Sequence, residues 1–149
     1  MADIKERLQA DMKSAMKARE KDRLGTIRMA LAEIKQREVD GQKALDEATE
    51  VAILDKMVKQ RRESAEQYDQ GGRDDLAEKE RAEIEVLKQY LPTPMTAEEI
   101  EAAVAEAIDS AGAESIRDMG KVMGLLRPRV QGRVDMQEVS TLVRSKLSA

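Results

Sequence analysis

Leu91-Pro92-Thr93-Pro94-Met95-Thr96-Ala97-Glu98-Glu99 decides how the chain is organised. Two prolines one residue apart remove backbone donors and push Leu91 and Thr93 out of the helical region, so no helix runs through them. Thr96 followed three residues later by Glu99 is a capping-box pattern, in which each side chain satisfies the other residue's backbone N–H and a new helix opens. The stretch therefore reads as a boundary between two domains, residues 1–92 and residues 93–149.

Before the boundary every signal is helical. Ile4, Leu8, Met12, Ala15 and Met16 recur at helical spacing, and Leu24, Ile27, Leu31 and Ile34 do so after the charged break Glu20-Lys21-Asp22. Asp40-Gly41 reads as a stop, and Asp46 as the N-cap of a longer helix carrying Val51, Leu54, Val58, Ala65 and Tyr68. Gly71-Gly72 ends that helix. A charge-laced one then opens near Asp74 and Asp75 and carries Leu76, Ile84, Leu87 and Leu91.

After the boundary three shorter helices remain. Ile100, Val104, Ala107 and Ile108 line the first, which Gly112 terminates. Ser115 and Asp118 start the second, with Met119, Val122, Met123 and Leu126 on one face and Pro128 kinking it or ending it early. Gly132 marks its stop. Asp135-Met136-Gln137-Glu138 caps the last, which carries Val139, Leu142, Val143 and Leu147. No strand pattern is visible, so the expected fold is all-α, with four helices and then three.

Composition limits the chemistry. Among 149 residues there is no Cys and no His, which removes disulfides, thiolate zinc sites, Cys nucleophiles and Ser-His-Asp triads; carboxylate or lysine chemistry remains. Phe and Trp are also absent, so Leu, Ile, Val, Ala and nine Met build the core, which suits helix-on-helix packing. No run of 18 apolar residues exists and Ala2-Asp3-Ile4-Lys5-Glu6-Arg7 lacks a signal-peptide core, so the expectation is a cytoplasmic protein without membrane contact. The net charge of −4 conceals an uneven distribution: 19 basic and 21 acidic side chains in residues 1–92, none and 6 in 93–115, then 7 and 3 in 116–149. The last segment is locally basic.

Three groups of residues invite a functional reading. Asp74-Asp75 with Glu78, Glu80, Glu83 and Glu85 could suggest metal ligands or an acid/base pair, but Lys79, Arg81 and Lys88 alternate with them as on a solvated helix face. Lys56, Lys59, Arg61 and Arg62 are followed at once by Glu63 and Glu66, which offset their field. Met119-Gly120-Lys121-Val122-Met123-Gly124 through Arg133 is different, because Lys121, Arg127, Arg129 and Arg133 gather with few acids among them. Glycine costs a helix roughly 1 kcal/mol relative to Ala, so Gly120 and Gly124, on one face, point to close approach of a helix or a ligand. The expectation is that at least one of the two glycines packs against the last helix while Lys121, Arg129 and Arg133 lie exposed on one surface. The segment is not a phosphate loop, since no strand precedes it and Val122 stands where that motif has Ser or Thr.

Taken together, three blocks resemble the YqeY-like family, whose members contain the GatB/YqeY domain. They are Arg23-Leu24 through Ile34-Lys35; Lys59-Gln60-Arg61-Arg62-Glu63-Ser64 through Gly72-Arg73 and Asp75-Leu76-Ala77-Glu78 to Tyr90-Leu91-Pro92; and Met119 through Arg133. The resemblance implies an elongated N-terminal helical domain and a small C-terminal one similar to the tail of the GatB subunit of tRNA-dependent amidotransferase. That tail helps to hold tRNA, while amide transfer occurs elsewhere in the enzyme. Val134-Asp135-Met136 departs from the family's usual small residue followed by Asp-Gly.

The resemblance thus implies a tRNA-binding or amidotransferase-associated accessory module, related by kinship to carbon–nitrogen ligases that take the amide from glutamine. The chain shows no catalytic centre of that kind, and no cofactor or metal ligand set is read from it. Gly120, Lys121, Gly124, Arg127, Arg129 and Arg133 are the candidate nucleic-acid-binding residues, with tRNA and amidotransferase or synthetase subunits as candidate partners. The alternative is a protein–protein adaptor without RNA contact.

Overall fold

A computed structural model describes residues 3–148, and those residues form seven α-helices and one short 3-10 turn, with no strand among them. Helices α1 (Ile4–Ala18), α2 (Lys21–Gly41), α3 (Glu47–Gln70) and α4 (Asp74–Lys88) belong to a first compact unit, Met1–Leu91. Helices α5 (Ala97–Ala111), α6 (Met119–Val130) and α7 (Met136–Ser148) belong to a second, Pro92–Ala149.

Local chemistry sets the helix ends. Asp3 caps α1 by accepting from the Glu6 N–H at 2.7 Å, and Asp46 caps α3 by accepting from Thr49 N–H at 2.8 Å. At Thr96 both arms of the capping box are made, Glu99 N–H to Thr96 Oγ1 at 3.1 Å and Thr96 N–H to Glu99 Oε1 at 3.2 Å. Gly112 closes α5 at φ 62°, where a side chain would be strained. Arg19 and Gln42 close α1 and α2 in the same left-handed conformation without being glycine.

In the first unit α3 lies mainly along α4, α1 along α2, and α2 reaches α4. Leu8, Ile27, Ile34, Leu54 and Leu87 are fully buried between them, each such side chain contributing about 1.5–3 kcal/mol. Met16, expected on the buried stripe of α1, is instead 51% exposed, because successive steps of four residues carry it about 120° round the helix from Ile4 and off that stripe. Tyr90 closes the core just past α4: its ring is 2% exposed, its hydroxyl donates to Asp11, and the Arg7 guanidinium lies 5.1 Å from the ring centre. Burial, reinforced by Asp11, pushes its hydroxyl up to about 12.

The second unit is smaller. Val104 of α5, Val122, Leu126 and Val130 of α6 and Val139 and Val143 of α7 are all buried in one cluster. Pro128 does not end α6, which runs on to Val130. The turn after Arg133 is closed by Asp135, whose carboxylate accepts from Gln137 N–H at 2.9 Å. No helix among the described residues is long and apolar enough to cross a membrane.

Candidate nucleic-acid interface

Helix α6 enters from a 3-10 turn, Ile116–Asp118, whose Asp118 carboxylate accepts from the Glu114 and Ser115 N–H groups at 3.0 and 3.4 Å. Those two bonds hold its carboxyl below the usual range. From Met119 onward, helical spacing sends Val122, Met123, Leu126 and Val130 into the core. The opposite face then carries Gly120, Lys121, Gly124, Leu125 and Pro128, with Arg127 and Arg129 on its two flanks.

Both glycines are exposed, and a Cβ added to either would meet nothing within 4 Å. Neither packs beneath Leu142 or Val143, which corrects the expectation that at least one of them would: the core stripe of α6 is complete without them. What they leave is bare helical backbone facing outward. Pro128 adds to this, since it has no N–H to give the Gly124 carbonyl four residues earlier, so that acceptor on the same face lacks its helical donor.

The four cations divide. Lys121 and Arg127 are exposed and reach no carboxylate within 4 Å among the described residues. Arg129 is exposed as well, but its guanidinium meets Glu106 of α5 at 2.9 Å. Arg133 is half-buried and acts as a staple: its Nε donates to the Thr93 carbonyl at 2.8 Å, its own carbonyl accepts from Met95 N–H at 3.0 Å, and Glu99 stands 3.7 Å away. It therefore does not join Lys121 and Arg129 on an open surface as expected. Asp118, Asp135 and Glu138, the acids nearest in sequence, form no ion pair within 4 Å with any of the four, although Asp118 lies near enough for the Lys121 charge to help lower its carboxyl.

Leu125, 46% exposed in the middle of this face, and the unpaired Arg117 beside the start of the helix were not singled out from sequence. Leu125 was legible in principle, four residues after Lys121 and outside the core stripe.

Some of the other charged groups are held within the structure, while Lys56, Lys59 and Arg62 form no ion pair among the described residues. Arg61, 8% exposed, donates to Glu83 at 2.9 Å and to the Met57 carbonyl at 3.3 Å, so the cluster Lys56, Lys59, Arg61, Arg62 has one member turned inward. Asp75 is held by Arg73 at 3.3 Å and Glu85 by Lys88 at 3.6 Å. No group of carboxylates suited to a metal occurs among the described residues.

The fold and this surface define an all-helical protein in which a short, glycine-bearing helix presents backbone and cations to solvent. The chain belongs to the YqeY-like protein family, which matches it over residues 5–147. It is similar to the protein called Altered inheritance of mitochondria protein 41, mitochondrial, in Pyrenophora tritici-repentis, at 33% identity over 96% of this chain and 80% of that protein. Proteins of the same name in Lachancea thermotolerans and Eremothecium gossypii are each 40% identical, over 68% and 67% of this chain. Those two matches span 56% of each relative's own length.

Proposed function

We propose that the chain is a tRNA-binding or amidotransferase-associated accessory module that contacts RNA through α6. The observation that carries this reading is the open backbone at Gly120 and Gly124 flanked by two cations that form no ion pair among the described residues, Lys121 and Arg127. The missing side chains let a phosphate strand come close to α6, and the attraction comes from Lys121 and Arg127, which supply charge without first breaking an ion pair. Arg129 joins when Glu106 yields. Arg133 holds the segment Thr93–Met95 in place and supports the surface indirectly.

Three phosphate contacts at a slope of about −0.7 to −0.9 each give weak, salt-sensitive binding, in the non-specific range of roughly 10⁻⁴–10⁻⁶ M. Specificity then falls to a partner, for which amidotransferase or synthetase subunits are the kin-based candidates. Residues 1–92 and 93–149 serve in this proposal as a helical body and a tail-like RNA-contacting domain. The carbon–nitrogen ligase label describes kinship to the enzyme whose tail this domain resembles. A cytoplasmic location is part of the proposal; fractionation of the native cells tests it against the mitochondrial placement that the relatives' names carry.

The test is a tRNA titration at low and moderate salt with wild type and the double variant Lys121→Ala, Arg127→Ala. Binding that weakens with salt and drops at least about tenfold in the variant supports the proposal. Absence of binding at low salt, or binding that the variant leaves unchanged, sinks it.

A further inference from the structure

The first two turns of α5 and α7 enclose an open groove of about 300 Å³. Buried Val139 forms its floor, half-buried Ile100 and Leu142 its walls, and Glu98, Glu101 and Glu138 its lip. All three glutamates are exposed, and none has a cation within 4 Å among the described residues. Two other acids of α5 are paired within the unit, Glu99 with Arg133 and Glu106 with Arg129.

Helix stability does not account for this lip. Glu98 and Glu138 lie in first turns, where the helix dipole favours a negative charge, but Glu101 lies beyond that reach. Glu98 and Glu101 are moreover three residues apart on one helix surface, where like charges repel. An apolar groove edged by three uncompensated carboxylates from two helices is complementary to apolar side chains flanked by cations.

We propose that this groove docks a basic amphipathic helix of a partner protein, whose apolar residues at i and i+4 enter between Ile100 and Leu142 while flanking Lys or Arg meet Glu98, Glu101 and Glu138. The residues involved are separate from those of the RNA proposal, so the two stand or fall independently.

The probe is a labelled Leu/Lys peptide of about 18 residues with leucines at helical spacing, long enough to hold a helix. Its binding to the full chain is followed by fluorescence anisotropy at moderate salt. Glu98→Lys with Glu101→Lys and Glu138→Lys is expected to weaken it at least about tenfold and to confer binding of the matching Leu/Glu peptide. The triple Gln variant, milder on the two helix starts, should weaken the Leu/Lys peptide to a smaller degree while circular dichroism shows the helices retained. Glu63→Gln with Glu66→Gln, in α3, should leave it unchanged.

Four results would overturn the proposal: equal affinity in the triple Lys variant, equal binding of a Ser/Lys peptide without leucines, an equal loss in the α3 control, or self-association of the chain that the triple Lys variant abolishes. The last would assign the groove to a second copy. The tRNA titration is read on the wild type and on Lys121→Ala with Arg127→Ala, whose residues lie outside the α5–α7 groove, so failure here and failure of the RNA reading are distinguishable.

Discussion

In the first unit Arg61 reaches Glu83 at 2.9 Å and Lys5 reaches Glu38 at 3.0 Å, whereas in the second unit Lys121 and Arg127 reach no carboxylate at all within 4 Å among the described residues. Both units are rich in charge and both hold exposed cations without an ion pair among the described residues, Lys59 and Arg62 in the first and Lys121 and Arg127 in the second; the difference is that the innermost pair of the first joins α3 to α4, while the Arg129–Glu106 pair of the second is exposed. Net charge along the sequence shows where cations are in excess; only pairing shows which of them a ligand can use. Arg133 illustrates the point, being basic in composition but committed to Thr93 and Glu99.

The sharpest way to break this contrast is to remove one acid from each unit. Glu83→Ala leaves Arg61 buried without its counter-charge and is expected to cost about 3 kcal/mol in a denaturant titration. Glu106→Ala removes the partner of an exposed Arg129 and should stay within about 1 kcal/mol. The same substitution should tighten tRNA binding by freeing Arg129. Comparable destabilisation by the two would erase the distinction between the units.

The next effect is smaller and of opposite sign. Gly120 and Gly124 sit in ordinary helical conformation with open space where a Cβ would go, so Gly120→Ala and Gly124→Ala should each stabilise by about 0.4–1 kcal/mol. In the RNA proposal the same pair should weaken tRNA binding, because the methyl groups hold the phosphate strand off the helix. Stabilisation without loss of binding would show that close approach to that backbone plays no part.

These contrasts were unevenly legible in the sequence. Asp46, Thr96 with Glu99, and Gly112 announce helix ends because a cap needs only residues a few positions apart. The core stripes were legible for the same reason, though Met16 drifts off the buried face of α1, Tyr68 and Leu76 are only half-buried, and Leu91 lies beyond the end of α4. Arg61 looked like its neighbours Lys59 and Arg62, and its partner Glu83 is 22 residues away. Arg129 and Glu106 are 23 apart, so nothing local marked that cation as paired. For Gly120 and Gly124 the spacing correctly pointed to one face, but period alone does not say whether a face turns inward or outward when both neighbouring stripes are apolar.

A pH-dependent effect concerns Tyr90. Losing its bond to Asp11 in Tyr90→Phe should cost about 1 kcal/mol at neutral pH. Because the folded hydroxyl is raised from 10.0 to about 12, the neutral form is favoured by folding. That contribution is complete below the unfolded value and is lost as pH rises from about 10 through about 12. Wild type should therefore lose stability relative to Tyr90→Phe across that alkaline window, as read by denaturant titrations at successive pH values. Parallel curves would place Tyr90 outside the buried network.

The seat of Tyr90 has an optical consequence. Tyr68 and Tyr90 are the only aromatic side chains, and both precede Pro92. Near-ultraviolet circular dichroism and intrinsic fluorescence therefore arise from side chains of the first unit, and α6 and the α5–α7 groove carry no such signal of their own. A single Trp in place of Leu125, on the open face of α6, would give the second unit its only fluorophore and place it where RNA is proposed to arrive.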